Sequence, residues 1–270
     1  MVSFPPCKIN LGLNIIRKRS DGYHDLSTCF YPVPWRDVLE IVPAKDFSFS
    51  VSGLPVPGSA SDNLCVRAFR LLEERFGLEP VAIHLLKILP IGAGLGGGSS
   101  DGAYALRILN ELFKLNLAKE ELRELAAKLG SDCAFFIEDK PMMGEGRGEV
   151  LSDIEVSLKG KFLIIVKPEV SISTAEAFAS VTPRGAAGDL RSVLENEPVS
   201  AWRDRVKNDF EEGLFKKFPV MDAIHKKLYA FGAIYASVSG SGSAVFGIFA
   251  KETDLRREFE SLVYWSGYLD

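Results

Sequence analysis

Glycine dominates one short stretch of this sequence and points to an anion-binding loop. Five glycines fall within residues 92–98, and Ser99, Ser100 and Asp101 follow directly. Glycine has no Cβ, so such a run reaches positive φ angles and lets backbone N–H groups approach a ligand. The two serines and the aspartate suit the N-cap and first turn of a helix, where free amides and the positive dipole end attract anions. The stretch therefore predicts a phosphate-binding loop that leads into a helix.

Two well-known phosphate motifs fit this loop poorly. Gly92, Gly94 and Gly97 match the dinucleotide pattern G-x-G-x-x-G, but residues 114–117, where the required acidic residue belongs, only connect two helical patterns. A Walker A loop needs a lysine before its Ser/Thr, whereas a glycine precedes Ser99. A bound triphosphate would therefore need Mg²⁺ and a lysine from elsewhere in the chain. A simple glycine linker is disfavoured, because a strand pattern precedes the loop and a helical pattern follows it.

Two further sites carry residues that could do chemistry. A strand pattern over residues 7–16 places Lys8 and Asn10 two residues apart, and so on one face. Asp132 precedes an apolar run, and taken alone it is better explained as a helix N-cap than as a catalytic carboxylate.

Two turns also display polar or small residues. Tyr23 and His24 follow the turn signal Asp21–Gly22, and alone they fit exposed hairpin residues at least as well as a binding site. The stretch Ser239–Ser243 alternates serine and glycine between two strand patterns, which alone predicts a hairpin bend.

The remaining patterns predict the elements that position these residues. Strands are predicted over residues 38–42, 47–51, 81–89, 161–166, 234–238 and 244–249. Helices are predicted from an Asp62 cap to Gly77, over 105–113 and 122–129, and around the stripe Ile224, Leu228 and Phe231. The polar stretch at residues 182–188 is predicted to be an irregular connection between elements.

Composition limits the possible functions. A length of 270 residues with 47% hydrophobic content allows one large or two modest domains. The net charge of −4 gives no general attraction to nucleic acid or to anionic membranes, so phosphate binding must come from local geometry. The four scattered cysteines and three histidines indicate neither a zinc cluster nor a disulfide framework, and no stretch suits a signal peptide or a membrane span. We therefore expect a cytoplasmic protein.

Three motifs in sequence order resemble those of the GHMP kinase superfamily. They are Pro-Cys-Lys-Ile-Asn-Leu at 6–11, the glycine loop at 90–100 and Val-Ser-Gly-Ser-Gly-Ser at 238–243, and together they span almost the whole chain. Within the superfamily, Ser-Asp-Gly-Tyr-His at 20–24 and Gly-Ser-Asp at 130–132 resemble the branch that phosphorylates the 2-hydroxyl of 4-diphosphocytidyl-2-C-methyl-D-erythritol in the non-mevalonate isoprenoid pathway.

The resemblance implies an α+β fold of two domains. Residues 1–155 would form an ATP-binding domain similar to ribosomal protein S5 domain 2, and residues 156–270 a ferredoxin-like domain. It also implies an ATP-dependent small-molecule kinase that uses ATP and Mg²⁺ and binds neither nucleic acid nor a membrane.

The resemblance further implies a role for individual residues. Asp132 would be the base that accepts the proton of the substrate hydroxyl, and Lys8 would stabilise its carboxylate and the developing charge. The nucleotide would contact Asn63, Pro90, Gly92, Ala93, Gly94, Leu95, Gly96, Gly97, Gly98, Ser99 and Ser100, with Ser99 or Ser100 near Mg²⁺. The acceptor would contact Asn10, Tyr23, His24, Phe178, Gly240, Ser241 and Gly242, with the cytosine between aromatic rings.

Three alternatives share parts of this pattern. Another GHMP kinase, for homoserine or mevalonate, would keep the glycine loop but would have no reason to place Tyr23 and His24 beside Phe178. A decarboxylating relative would keep the aspartate and alter the substrate pocket. A non-catalytic ATP-binding protein would keep the loop, but the presence of both Lys8 and Asp132 argues against it.

Overall fold

The computed structural model describes residues 1–179, 181–183, 185 and 189–269. The chain forms two compact units and enters each of them more than once. The first unit comprises Met1–Cys7, Trp35–Ile91 and Gly96–Lys140, and the second comprises Lys8–Pro34, Gly92–Leu95 and Pro141–Asp270. The division into domains at residues 155 and 156 stays a prediction.

Strands and helices alternate along the part of the chain just defined. The strands are β1 (Val2–Ser3), β2 (Pro6–Lys18), β3 (His24–Arg36), β4 (Val38–Pro43), β5 (Ser48–Gly53), β6 (Val81–Lys87), β7 (Met142–Gly146), β8 (Val150–Asp153), β9 (Phe162–Lys167), β10 (Tyr235–Val238), β11 (Val245–Phe249) and β12 (Val263–Tyr268). The α-helices are α1 (Leu64–Phe76), α2 (Gly97–Leu112), α3 (Lys119–Leu129), α4 (Phe135–Glu138), α5 (Thr174–Ala179), α6 (Leu190–Asn196), α7 (Glu211–Lys217) and α8 (Pro219–Ala230). Short 3-10 helices cover Ala60–Asp62, Val199–Asp204 and Arg256–Phe259.

The first unit combines a sheet of order β1-β4-β6-β5 with helices α1 to α4. Strand β4 is antiparallel to β1 and β6, and β5 is parallel to β6. Alternate residues of β6 are buried, and the buried set is Val81, Ile83, Leu85 and Lys87. Strand β6 ends just before the glycine loop, so the sheet fixes where that loop begins.

Helices α1 and α2 pack against each other within this unit. A Cβ at Gly102 would lie 2.8 Å from Leu64 Cβ, so a glycine is needed where α2 meets the start of α1. The predicted cap at Asp62 is wrong: Asn63 is the N-cap of α1, and its side chain accepts a hydrogen bond from Cys65 N at 2.9 Å. Gly77 ends the helix in the left-handed conformation, as predicted.

The second unit contains two four-stranded sheets, of order β2-β3-β7-β8 and β10-β11-β9-β12, with helices α5 to α8. Its apolar core includes Leu13 and Ile15 of β2, Ile164 and Val166 of β9, and Leu228 of α8. The buried face of α8 is formed by Met221, Ile224 and Leu228. Phe231, which was predicted to belong to this face, lies just beyond the helix and is exposed. The second sheet brings β10 and β11 together as the predicted hairpin.

Most of the strands predicted from the patterns are present, with ends shifted by one or two residues. The sequence patterns did not indicate β1, β3, β7, β8 or β12. The predicted connection at 182–188 falls partly on residues outside the described ones. Mixed helices and strands agree with the predicted α+β class. Among the helices of the described residues, none has the length and apolar character needed to cross a bilayer.

Candidate active site

The first unit supplies a helix N-terminus with the features of an anion site. Helix α2 begins at Gly97, and its N-cap is Gly96, which has φ 70° and offers no side chain. Ser100 N donates to Gly96 O at 2.9 Å, whereas the N–H groups of the first three helical residues have no carbonyl acceptor inside the helix. The N-cap is therefore a glycine rather than a serine, and Ser99 lies in the first turn. The helix presents amides and its positive end to an anion, as the sequence predicted.

The first turn of α2 leaves space for a ligand. A Cβ built at Gly98 would meet no heavy atom of the described residues within 4 Å, apart from its chain neighbours and the backbone of its own helix. At Gly97, by contrast, a Cβ would lie 3.1 Å from Lys87 Nζ and 3.2 Å from Leu89 Cβ. Gly97 is thus needed for packing inside the unit, and Gly98 keeps the space before the helix open. Open space beside amides at a helix N-terminus fits a phosphate group.

A buried ion cluster lies beneath this turn. Lys87 Nζ donates to Asp37 Oδ2 and to Asp101 Oδ2, each at 2.6 Å, and all three side chains are buried. Asp37 Oδ1 also accepts the backbone amides of Ile88 and Leu89. Burial raises the pKa of the Asp101 carboxyl to about 7, and the neighbouring Asp37 adds to this effect while Lys87 opposes it. The cluster links the end of β6 to the first turns of α2, and so fixes the residues on both sides of the glycine loop.

The two predicted metal contacts differ in their surroundings. Ser99 is partly exposed, and its side chain hydrogen-bonds the Cys133 thiol. Burial raises the pKa of that thiol to about 12, and the hydrogen bond from Ser99 opposes the rise. Ser100 is completely buried, and its Oγ has no hydrogen-bond partner among the described residues. Ser100 therefore has an unused oxygen ligand, whereas Ser99 already has one partner.

Asp132 is not a helix cap. It lies in the turn between α3 and α4, and α4 begins at Phe135 with Ala134 as its N-cap. Its side chain is half-buried, and Oδ1 accepts a long hydrogen bond of 3.4 Å from Ser131 Oγ. The structure thus rules out the predicted role of Asp132 as the N-cap of α4.

Lys8 lies in a buried polar cluster of the second unit. Its Nζ donates to Asn10 Oδ1 at 2.6 Å and to Gly94 O at 3.0 Å. The same carbonyl accepts a hydrogen bond from Ser239 Oγ at 2.8 Å. Lys8 N also donates to Leu95 O at 2.9 Å, so β2 holds this part of the glycine loop through both backbone and side chain. Only 3% of the Lys8 surface is exposed, and its ammonium is therefore fixed rather than solvated.

The second glycine turn packs against the same cluster. Gly240 and Gly242 have positive φ angles of 55° and 85°. A Cβ at Gly94 would collide with Ser239 O, and a Cβ at Gly240 would lie 3.3 Å from Gly94 O and 3.4 Å from Asn10 Oδ1. Glycines at these positions let the two loops approach each other closely. Gly240, Ser241 and Gly242 thus lie on the turn that contacts Asn10.

The aromatic residues predicted for the acceptor are found in the second unit. His24 stacks on Phe178 with ring centroids 4.8 Å apart and planes 13° from parallel. Phe178 also makes an edge contact with Phe210 at 5.0 Å. Tyr23 is 56% exposed, and the Arg147 guanidinium lies over its ring at 4.8 Å. The stacked pair is therefore His24 with Phe178, whereas Tyr23 pairs with Arg147.

The predicted site residues are divided between the two units. The first unit contains Asn63, Pro90, residues 96–100 and Asp132. The second unit contains Lys8, Asn10, Tyr23, His24, residues 92–95, Phe178 and residues 240–242. Asn63 is engaged as a helix cap in addition to its predicted role at the nucleotide.

The structure adds residues that the sequence analysis missed. They are Asp37 and Lys87, which hold Asp101 of α2, and Thr28 and Asn208, which lie around Asn10 and the second glycine turn. The burial of Lys87 could have been predicted from the sequence. Lys87 follows Val81, Ile83 and Leu85 in steps of two and so continues the buried face of β6.

Two family models match the chain. The model described as GHMP kinases N terminal domain matches residues 63–140, and the model described as GHMP kinases C terminal matches residues 175–264. Curated relatives named 4-diphosphocytidyl-2-C-methyl-D-erythritol kinase are similar over nearly their whole length. The relative from Bacteroides fragilis is 50% identical over 266 residues, covering 97% of both chains, and that from Parabacteroides distasonis is 44% identical over 271 residues, covering 100% of both.

Solved structures give a consistent result. A crystal structure titled 4-(cytidine 5'-diphospho)-2C-methyl-D-erythritol kinase superposes with a TM-score of 0.83 at 30% identity and covers 99% of this chain and 98% of its own. The mevalonate kinase of Methanococcus jannaschii gives 0.74 at 17% identity, with 100% and 98% coverage. The second likeness shows the shared fold alone.

Proposed function

This chain belongs to the GHMP kinase family and, within it, to the 4-diphosphocytidyl-2-C-methyl-D-erythritol kinases, and from that premise we propose that it transfers the γ-phosphoryl group of ATP to the 2-hydroxyl of 4-diphosphocytidyl-2-C-methyl-D-erythritol. The product would serve the non-mevalonate synthesis of isoprenoid precursors. The identity of 50% along 97% of the chain is the observation that carries the proposal. The geometry of each unit supplies parts that such a kinase needs.

The N-terminus of α2 would hold the ATP phosphates. Its amides, the open space at Gly98 and the left-handed Gly96 cap support this role. Residues 92–95 would continue the loop along the phosphates, and Asn63 and Pro90 would flank the nucleotide. The oxygen of Ser100 or Ser99 would contact Mg²⁺, and the unused Ser100 Oγ supports the former. When bound there, Mg²⁺ would supply positive charge that neutralises the charge developing on the phosphates.

Asp132 and Lys8 would act on the reacting groups. A half-buried carboxylate with no capping role suits a base that accepts the proton of the acceptor hydroxyl. The ammonium of Lys8 would stabilise the negative charge that develops on the transferred phosphoryl group. Asn10 Oδ1 and Gly94 O fix the direction of that ammonium before any ligand binds, which favours an electrostatic role in the transition state.

The aromatic residues of the second unit would hold the cytidine part of the acceptor. His24 and Phe178 already form a stack, and Tyr23 offers an exposed ring. Phosphoryl transfer to a simple polyol needs no such group, so these residues favour the cytidine-linked acceptor over homoserine or mevalonate. Stacking of a base contributes roughly 1 to 3 kcal/mol, and such remote binding helps to align the reacting hydroxyl.

A comparison of acceptors tests the function. With ATP and Mg²⁺, we expect the cytidine-linked acceptor to be phosphorylated with a kcat/KM at least about tenfold above that of methylerythritol or its 4-phosphate, because these lack the stacking group. Homoserine and mevalonate serve as the competing substrates. Asp132→Asn is the control for contaminating kinases, and its turnover should be lower by about 10²- to 10⁴-fold. Equal efficiency toward a nucleotide-free acceptor would overturn the cytidine-linked assignment and leave a GHMP kinase of another specificity.

A further inference from the structure

Asn10 has a different set of partners from the one expected of a substrate-binding side chain. Its Oδ1 accepts a hydrogen bond from Lys8 Nζ at 2.6 Å, and its Nδ2 donates to Thr28 Oγ1 at 2.9 Å. Only 1% of the surface of Asn10 and 1% of that of Thr28 is exposed. Both ends of the amide are thus occupied by buried groups of the same unit.

The chemistry of the three groups decides which way this amide points. Thr28 Oγ1 lies 2.5 Å from Gly12 O, and a carbonyl can only accept, so the single hydroxyl proton of Thr28 goes to Gly12. The hydroxyl oxygen must then accept from Asn10, which places the NH₂ group of Asn10 toward Thr28. The carbonyl oxygen of Asn10 therefore faces Lys8, whose ammonium can only donate.

We propose that Thr28 is a positioning residue for phosphoryl transfer. Its hydroxyl orients the Asn10 amide, and the oriented amide, together with Gly94 O, holds the Lys8 ammonium in place. This inference rests on the proposed function, because Lys8 acts on the reacting groups only there. It gives Asn10 a role toward Lys8 rather than toward the acceptor alone.

Loss of the hydroxyl should misplace Lys8 without removing it. In Thr28→Val the side chain keeps its shape, but the Asn10 NH₂ group loses its acceptor and Gly12 O loses its donor. The amide can then rotate, and a rotated amide presents a donor to the Lys8 ammonium. A displacement of about 1 Å near reacting groups lowers rates by as much as about 10²-fold. We therefore expect kcat to fall by about 10- to 100-fold, with little change in the affinity for an ATP analogue.

The experiment compares four variants by steady-state kinetics, by binding of a non-hydrolysable ATP analogue and by thermal unfolding. Thr28→Val should lower kcat, and Thr28→Ser, which keeps the hydroxyl, should restore most of it. Tyr31→Phe removes another buried hydrogen bond of the same unit, the one that Tyr31 Oη accepts from Leu158 N, and should lower stability without lowering kcat. Thr253→Val repeats the chemical change at a half-buried threonine whose hydrogen bond is exposed, and should change neither.

The outcomes separate this inference from the function on which it rests. A wild-type chain without kinase activity would contradict the proposed function itself. An active wild type with an equally active Thr28→Val variant would overturn the role of Thr28, as would a Thr28→Ser variant that is as slow as Thr28→Val. If the valine variant does not fold, Thr28→Ala replaces it in the same comparison with Thr28→Ser.

Discussion

At the scale of single residues, the glycines of the loop differ in why a side chain is or is not tolerated at each position. Gly96 has φ 70°, so a side chain there strains the backbone at the helix cap. Gly97 has no room for a Cβ beside Lys87 and Leu89. Gly98 has neither restriction, since it lies within the helix and faces open space. A substitution at Gly98 thus changes the ligand space without disturbing the fold.

Gly98→Ala should separate stability from nucleotide binding. Alanine in a helix is favoured over glycine by about 0.8 to 1.0 kcal/mol, so the free energy of unfolding should stay the same or rise. The added methyl group occupies space before the helix N-terminus, and overpacking of about 1 to 3 kcal/mol should weaken an ATP analogue by about tenfold or more. Calorimetric titration and thermal unfolding measure the two effects. Gly96→Ala is the contrasting variant, and it should lose stability and binding together. Wild-type affinity in a folded Gly98→Ala chain would place the phosphates elsewhere.

At the scale of elements, residues 207–211 form a bridging segment between β2 and the second glycine turn. Leu13 N donates to Lys207 O at 2.9 Å, and Asp209 N donates to Leu13 O at 2.8 Å. Asn208 Nδ2 donates to Val238 O and to Gly240 O, each at 2.8 Å. The segment thus connects the strand that carries Lys8 with the turn proposed to contact the acceptor.

Glu211 fixes the other end of the bridging segment. Its Oε1 accepts hydrogen bonds from Ser237 Oγ at 2.7 Å and from Val238 N at 2.9 Å. Burial raises the pKa of the Glu211 carboxyl, and these two hydrogen bonds oppose the rise. The end of β10 is therefore held on both sides of Val238, by Asn208 and by Glu211.

Removal of the Asn208 amide should loosen the second glycine turn. Asn208→Ala leaves the carbonyls of Val238 and Gly240 without that donor, and an unsatisfied buried group costs about 1 to 3 kcal/mol. We expect a lower free energy of unfolding in urea and a several-fold higher KM for the acceptor. Asn196→Ala is the matched control, because Asn196 is exposed and its amide donates to Ser192 O within α6. An Asn208→Ala chain with wild-type stability and wild-type KM would show that the bridging segment does not shape the turn.

The bridging segment also shows what sequence patterns can and cannot predict. Local patterns predicted β6 and a glycine loop that leads into a helix, because each depends on neighbouring residues, but they predicted a serine or aspartate cap where the structure has Gly96. The hydrogen bond from Asn208 to Gly240 joins residues 32 positions apart, and that from Ile15 to Asp209 joins residues 194 apart. No local pattern reports such pairs, so the roles of Asn208 and Thr28 were not predicted.

Strand β3 was missed for a local reason. Its sequence contains Pro32 and Pro34, and proline argues against a strand because it lacks the N–H donor. In the structure β3 pairs with β7 only over Leu26–Phe30, so both prolines lie beyond that ladder. The predicted Asp62 cap was wrong for another local reason. Asn63, one position later, is an equally good capping residue, and the structure uses it.

At the scale of the whole molecule, the proposed ligands fall on residues of different compact units. The amides of α2 and Asn63 belong to the first unit, whereas Tyr23, His24 and Phe178 belong to the second. The resemblance to GHMP kinases predicted the fold class and the set of site residues, but local patterns alone did not indicate this division. If each set holds its ligand by its own contacts, the nucleotide and the cytidine group should bind independently.

Thermal unfolding with single ligands tests this independence. A non-hydrolysable ATP analogue and cytidine diphosphate, each at about 100 times its Kd, should separately raise the free energy of unfolding by about 2.7 kcal/mol. At the same ligand concentrations, Gly98→Ala should reduce the shift from the ATP analogue to about 1.4 kcal/mol or less and keep that from cytidine diphosphate, and Phe178→Ala should do the reverse. Because Phe178 also packs against Phe210, its loss lowers stability without ligand, so the ligand-induced shifts are compared rather than the melting temperatures. A cytidine diphosphate shift that appears only when the ATP analogue is bound would contradict independent binding, because the cytidine site would then depend on the nucleotide.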